Sequence, residues 1–393
     1  MKRWSLVAAL GLSAAAASPA AAQLPGLFPA GSYVKDVWYP KLFWTPRDGA
    51  TVGGYFAIVA PLRYADFDNP APHVAALSLD GQVSTSGTRF LTLDAFAPSL
   101  VRGWRLRVTG SAERWNRENY FGLGEASTID DANQSDSLPH FYRARHVRHL
   151  LRAEVQRRVV GPVRLLAGLH AERWTIEPLE PVSQLATDRA AGIDPTIGRA
   201  TGDVAVRFGL IVDTRVDESA PDRGLLFEAI HGIADADIAG DLSYTRTTVS
   251  LRGFLPIGET LILGGRLAGQ RMGGTPRLGS YAVIESTDGP FTGLGGAVSH
   301  RALVNNRYLG RSTLFANLDL RYALIYFPRV SLLAFVDAGR VFEQESFRIT
   351  FDGLAVGGGT GLFLQLARNG IAGMTVGLGP DGLAFDFHTK WSF

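Results

Sequence analysis

The sequence predicts an all-β protein: a transmembrane antiparallel β-barrel of 16 strands. Three observations lead there. Apolar residues recur at every second position, which puts them on one face of an extended strand. The alternating segments are mostly about 8–15 residues long, whereas soluble strands run to about 5–6 and a tilted strand crossing a bilayer needs about 9–11. Long and short connections follow strand parity, as expected of an even-numbered barrel with periplasmic turns and longer extracellular loops.

Taken from the N-terminus, Lys2 and Arg3 precede an apolar stretch, Leu6 to Ala16, and the small residues Ala20-Ala21-Ala22. This is the pattern of a secretory signal peptide, assigned to 1–22. Residues 23–38 are expected to form a short periplasmic N-terminal segment, and 39–393 the outer-membrane barrel domain. The expected strands are 39–46, 51–60, 73–83, 88–97, 103–114, 141–159, 163–176, 202–214, 224–235, 240–254, 259–272, 313–326, 329–341, 354–366, 371–379 and 382–393.

The last of these shows the rule most clearly. Leu383, Phe385, Phe387, Trp391 and Phe393 share one face, while Ala384, Asp386, His388, Lys390 and Ser392 share the other. Phe393 is expected to end this strand at the periplasmic rim. The long connections, 115–140, 177–201, 273–312 and 342–353, follow odd strands; the short ones, such as Gly161-Pro162 and Phe327-Pro328, follow even strands. Tyr39, Trp44, Trp104, Trp115, Trp174, Tyr322, Tyr326 and Trp391 lie near strand ends and are candidates for the aromatic girdles.

Composition narrows the function. The chain has no cysteine, so disulfides and thiolate metal sites are excluded. It has 39 Lys plus Arg against 37 Asp plus Glu; without Lys2 and Arg3 the count is 37 of each. A neutral chain gives no reason to expect nucleic acid. No stretch of 18 uninterrupted apolar residues follows the leader, so no transmembrane helix is expected.

A set of motifs then resembles one family. Asp213-Thr-Arg215 closes a strand and is followed by Pro221-Asp-Arg-Gly224 before the next. Asn119-Tyr-Phe-Gly-Leu-Gly124 lies in an early long loop, Phe335-Val-Asp337-Ala-Gly339 in strand thirteen, and Gly377-Leu-Gly-Pro-Asp-Gly382 before the terminal strand. In order and position this resembles the BamA/TamA family of outer-membrane assembly factors, the bacterial surface antigens, over essentially all of 33–393. The resemblance assigns family-motif roles to Asp213, Arg215, Gly224, Gly339 and Phe393. It implies a barrel in the bacterial outer membrane, in contact with membrane lipid, with the long loop after strand eleven folded into the lumen. It also implies a role in inserting outer-membrane proteins or translocating polypeptide, with unfolded outer-membrane or secreted polypeptides as partners. Family members dock clients through periplasmic polypeptide-transport domains, for which 23–38 leaves no room; a separate periplasmic protein is the other partner to expect. The alternative function is a passive channel or structural surface barrel with a loop-plugged lumen.

The family's Arg-Gly-aromatic tripeptide has two counterparts. Leu251-Arg252-Gly253-Phe254 matches by letters but lies inside strand ten, with Arg252 facing inward. Ser299-His300-Arg301-Ala302-Leu303 matches by position, in the loop after strand eleven, with Ala302 where the family has Gly. Alternation turns Asp319 on strand twelve and Asp337 on strand thirteen toward the lumen. Two neighbouring carboxylates need a cation between them, and a planar guanidinium bridges them well. Two arrangements stay open: Arg301 anchors the loop on Asp319 and Asp337, or Arg321 or Arg340 neutralises them without the loop.

Other clusters read as structure. Arginines surround His140, His146 and His149, which opposes a metal cation. No nucleophile elbow accompanies the serines and histidines, so an enzyme is not expected. Gly357-Gly-Gly-Thr-Gly361 lacks the Lys and helix of a phosphate loop, and 130–136 lacks the final Glu of a calcium loop. No cofactor is expected.

Overall fold

The computed structural model describes residues 34–393 except 67, 327, 344, 346–352 and 368–369. The expected signal peptide, 1–22, lies outside the described residues.

Sixteen strands form one antiparallel sheet in chain order. They are β1 (Lys35–Thr45), β2 (Gly49–Ala60), β3 (Ala75–Ser84), β4 (Arg89–Val101), β5 (Trp104–Asn119), β6 (Arg143–Val160), β7 (Val163–Pro178) and β8 (Thr201–Asp213), then β9 (Gly224–Ala234), β10 (Tyr244–Ile257), β11 (Leu261–Gly274), β12 (Ser312–Tyr326), β13 (Arg329–Phe342), β14 (Ala355–Ala367), β15 (Gly370–Gly379) and β16 (Gly382–His388). Each pairs with the next, and among the described residues no ladder joins β16 to β1. β1 begins at Lys35, within the stretch expected to precede it. Its Pro40 lacks the N–H of a ladder donor, which an edge strand tolerates. An α-helix, α1 (Gln184–Ala190), lies in the connection after β7.

The sheet is inside-out relative to a soluble one. On β10, Val249 and Leu251 are 43% and 48% exposed, whereas Arg246, Ser250 and Arg252 are buried. An apolar face left open and a charged face covered is the arrangement hydrocarbon requires. No helix of the described residues is long and apolar enough to cross a membrane. Each strand from β2 to β15 is paired with a neighbour on both sides, as backbone in hydrocarbon requires.

Two expectations need correction. β16 stops at His388, five residues short of the expected strand end at 393. Trp391 and Phe393 leave the sheet and turn to its buried face. Trp391 stacks on Phe363 at 4.1 Å, and the Arg321 guanidinium lies 4.2 Å from the Trp391 ring centroid. Ser392 O and Phe393 O each accept a hydrogen bond at 3.1 Å, from Arg266 and Arg321 respectively. Those donors replace the ladder bonds of a longer strand, so Phe393 is not a rim residue. Trp391 and Trp174 are likewise buried rather than girdle residues, while Trp44, Trp104, Tyr322 and Tyr326 are exposed as girdle positions require.

Candidate functional site

The connection from β11 to β12, residues 275–311, is the longest in the described chain. It carries a 3-10 turn (Leu278–Ala282) and a small hairpin pairing Val283–Ile284 with Phe291–Thr292. Its polar side chains reach the buried face of strands β6 to β13. Arg277 pairs with Glu172 and Asp203, and Arg307 with Asp381; two further ion-pair clusters involve the residues at the centre of the loop.

The first is built on Arg301. Asp337 lies opposite Asn317 in the β12–β13 ladder, and Asp319 lies opposite Phe335. The two carboxylates are therefore diagonal neighbours on one face. Arg301 fits between them. Its Nε and Nη2 donate to the two Asp337 oxygens at 2.9 and 2.6 Å, and its backbone N–H donates to Oδ2 at 2.7 Å. Nη1 is 2.7 Å from Asp319 Oδ1. The guanidinium also lies 4.1 Å from the Phe335 ring centroid. Burial opposes the charge of Arg301, but the flanking Asp319 and Asp337 carboxylates raise its pKa. Asn317 Nδ2 joins Asp337 to the Ser299 carbonyl, at 2.7 Å each.

The rival cations divide. Arg321 shares Asp319 with Arg301, donating to its other oxygen at 3.1 Å. Arg340 points away and pairs with Glu125 at 2.6 Å. Arg321 therefore supplements the loop's arginine, and Arg340 takes no part.

Ala302 in place of glycine has a packing explanation. Its backbone has no positive φ. The room comes from the walls: a Cβ on Gly357 would stand 2.4 Å from the Ala302 methyl, and one on Gly379 would stand 2.2 Å from its carbonyl oxygen. Glycines on β14 and β15 thus create the seat that glycine in the loop would otherwise make unnecessary. Gly339 does the same for Leu294, whose Cδ1 would be 2.6 Å from an added Cβ.

The second cluster escaped the sequence reading. Glu285 of the loop is surrounded by Arg207 and Arg246, each at 2.7 Å, and Arg152 at 3.4 Å. Asp288 lies 2.7 Å from Arg252 and 3.1 Å from Arg215. Burial alone would raise the Glu285 carboxyl, yet Arg207, Arg152 and Arg246 hold it well below the usual carboxylate range. Arg215 and Arg252 do the same to Asp288 against the same opposition. A signal was available: Glu285 and Asp288 are the only acids in 275–311, and Arg152, Arg207, Arg246 and Arg252 fall at inward positions of the alternating strands.

The remaining motif residues fall around this second cluster. Arg215 donates to both Asp213 oxygens at 3.0 Å while reaching Asp288, so the Asp-x-Arg pair ties a short turn to the long loop. Gly224, at φ +96°, restarts the chain where a Cβ would meet Thr214 O at 2.3 Å. Arg252, the letter match, is a wall residue that holds Asp288, Glu228 and Ser286. No group of three or more metal-ligating side chains occurs among the described residues.

Residues 177–373, half of the chain, match the Omp85 superfamily domain. BamA from Haemophilus ducreyi, solved without POTRA domains 1–3, is similar with a TM-score of 0.56 at 12% identity, over 91% of this chain and 69% of that one. CdiB from Escherichia coli is similar with a TM-score of 0.55 at 13% identity, over 95% of this chain and 66% of that one. The chain spans about two thirds of the length of each. No curated protein sequence matches it.

Proposed function

We propose that this chain, which belongs to the Omp85 superfamily, acts on unfolded polypeptide at the bacterial outer membrane, guiding strands into the bilayer or passing chain across it. It is an integral outer-membrane β-barrel of the assembly and translocation type. In this reading the long connections face outside the cell, and 275–311 is a plug in the lumen held by Arg301, Asp319 and Asp337. Clients are outer-membrane or secreted polypeptides, delivered by a separate periplasmic protein. The N-terminal signal peptide and the short segment after it belong to the same proposal.

One observation carries the reading. The sheet's edges, β1 and the seven-residue β16, share no ladder among the described residues. Unpaired backbone groups cost several kcal/mol each in hydrocarbon. An extended client strand relieves that cost by adding itself to the edge. Closing the seam should therefore stop activity.

The chain's lack of cysteine makes the test clean. Leu42→Cys in β1 and Phe385→Cys in β16, joined by a bifunctional maleimide, should abolish folding of an eight-stranded outer-membrane protein into proteoliposomes. Each single variant should remain active. Unchanged activity with the seam locked would sink the proposal. A large steady conductance in planar bilayers would favour the passive channel instead.

A further inference from the structure

Charges are scarce on the exposed face of the sheet, and on β4 to β7 most of them are gathered at one end, with Arg157 at the other. Arg89, Arg114, Arg145 and Arg173 all occupy positions of the exposed alternation there. Arg89 and Arg114 stand directly opposite each other in the β4–β5 ladder. Like charges in that relation destabilise a sheet. Arg114 and Arg145 converge as well: their Nε atoms donate to the same Asn116 Oδ1, at 2.9 and 3.2 Å. Arg173 stands one exposed rung further along β7, opposite His149. Among the described residues, the only acid paired with any of the four is Glu177, 3.0 Å from Arg145.

Below this patch the same strands turn apolar. Leu93, Val108, Leu151 and Leu169 are 46–57% exposed. The band ends at Trp104, with the Arg157 guanidinium 4.9 Å from its ring. Arg114 and Trp104 are ten residues apart on β5. At about 3.3 Å per residue that is about 33 Å of strand, and a tilt of about 40° reduces it to about 25 Å. This is the height of a barrel's apolar band. The arginine patch therefore stands at one membrane interface, facing lipid rather than the interior.

We propose that Arg89, Arg114, Arg145 and Arg173 form a binding site for the phosphorylated headgroup of an anionic lipid in the outer leaflet. Guanidiniums match phosphate oxygens with paired donors. A phosphate between Arg89 and Arg114 turns a repulsive cross-strand pair into a bridged one. The acyl chains of the same lipid lie along the apolar band beneath. The leaflet assignment rests on the proposed orientation, with long connections outside.

The test uses the full chain in detergent and native mass spectrometry. A diphosphorylated glycolipid should bind. Its dephosphorylated form should bind at least about tenfold more weakly, with affinity falling as salt rises. The variant R89Q/R114Q/R145Q/R173Q should lose the phosphorylated lipid by at least about tenfold while migrating as a folded barrel. R271Q, which removes an exposed arginine of β11, should bind as the parent does. Inorganic phosphate should fail to displace the lipid. Equal binding of both lipid forms, unchanged binding by the fourfold variant, or displacement by inorganic phosphate would overturn the proposal. Orientation is read separately: Ser137→Cys should be labelled on intact cells by an impermeant maleimide. Absence of labelling with lipid binding intact would overturn the outer-leaflet assignment alone.

Discussion

Of the ion pairs that hold segment 275–311, the clusters at Arg301 and at Glu285 and Asp288 are mirror images in charge. At Arg301 the loop supplies the cation and the strands supply Asp319 and Asp337. At Glu285 and Asp288 the loop supplies anions, the strands supply Arg152, Arg207, Arg246 and Arg252, and the turn after β8 supplies Arg215. Opposite polarity at the two ends allows one seating only. A slipped or reversed loop would bring carboxylate to carboxylate and guanidinium to guanidinium, at a cost of several kcal/mol in a poorly solvated interior. The clusters also differ in redundancy. Arg301 reaches two carboxylates, with only Arg321 to share Asp319, whereas Glu285 is one acid among several cations that have other partners, such as Glu154 for Arg207.

That difference can be broken by mutation. Arg301→Ala leaves Asp337 buried without its cation, and should destabilise the seated loop by about 3–5 kcal/mol. Limited proteolysis within 275–311 reads this as cleavage of a segment that resists in the parent. Resistance equal to the parent would mean that the Glu285 cluster holds the loop unaided. Glu285→Gln should cost less, about 1.5–3 kcal/mol, because neighbouring acids still screen the arginines. If it proves the more damaging of the two, the ranking of the clusters is reversed.

The seat itself offers a finer test. Gly357→Ala should cost about 1–3 kcal/mol through contact with the Ala302 methyl. Ala302→Gly should restore part of that loss, the 2.8 Å approach of the new Cβ to the Leu378 carbonyl remaining. A double variant no better than Gly357→Ala would remove the packing explanation for alanine in the loop tip.

The smallest effect is a pH dependence at the Arg301 end. His300 Nε2 lies 3.1 Å from Ala355 O, and burial pushes the ring's pKa down. Its folded pKa is below the unfolded value of about 6.5. The unfolded chain therefore takes up the proton first, and stability declines as pH falls below that value. Asp288 and Glu285 have depressed carboxyl pKa values, so their contribution is complete above about pH 4 and is lost only on further acidification. Loop protection should weaken between about pH 7 and pH 5.5, and His300→Gln should flatten the profile. An unchanged profile in that variant would assign the acid sensitivity elsewhere.

Much of this was readable from the chain. The period-two alternation located all sixteen strands and put Arg252 inside and Leu251 outside, because side-chain direction in a strand is a local property. Asp319 and Asp337 could be assigned a face, but not a partner. Their choice between Arg301, Arg321 and Arg340 depends on ladder register and on where a 37-residue connection returns.

What the sequence by itself determined is the strand count, the inverted burial and the identity of the charged residues on the covered face. Tertiary structure decided the rest: the diagonal of Asp319 and Asp337, the second cluster, and the fate of the C-terminal residues. Those residues keep the strand alternation through Phe393, yet stop pairing at His388. Local pattern permits both courses. Donors from Arg266 and Arg321 and the ring of Phe363, contributed by three different strands, favour the inward one. Contacts between residues so far apart in the chain leave no periodic trace in its order.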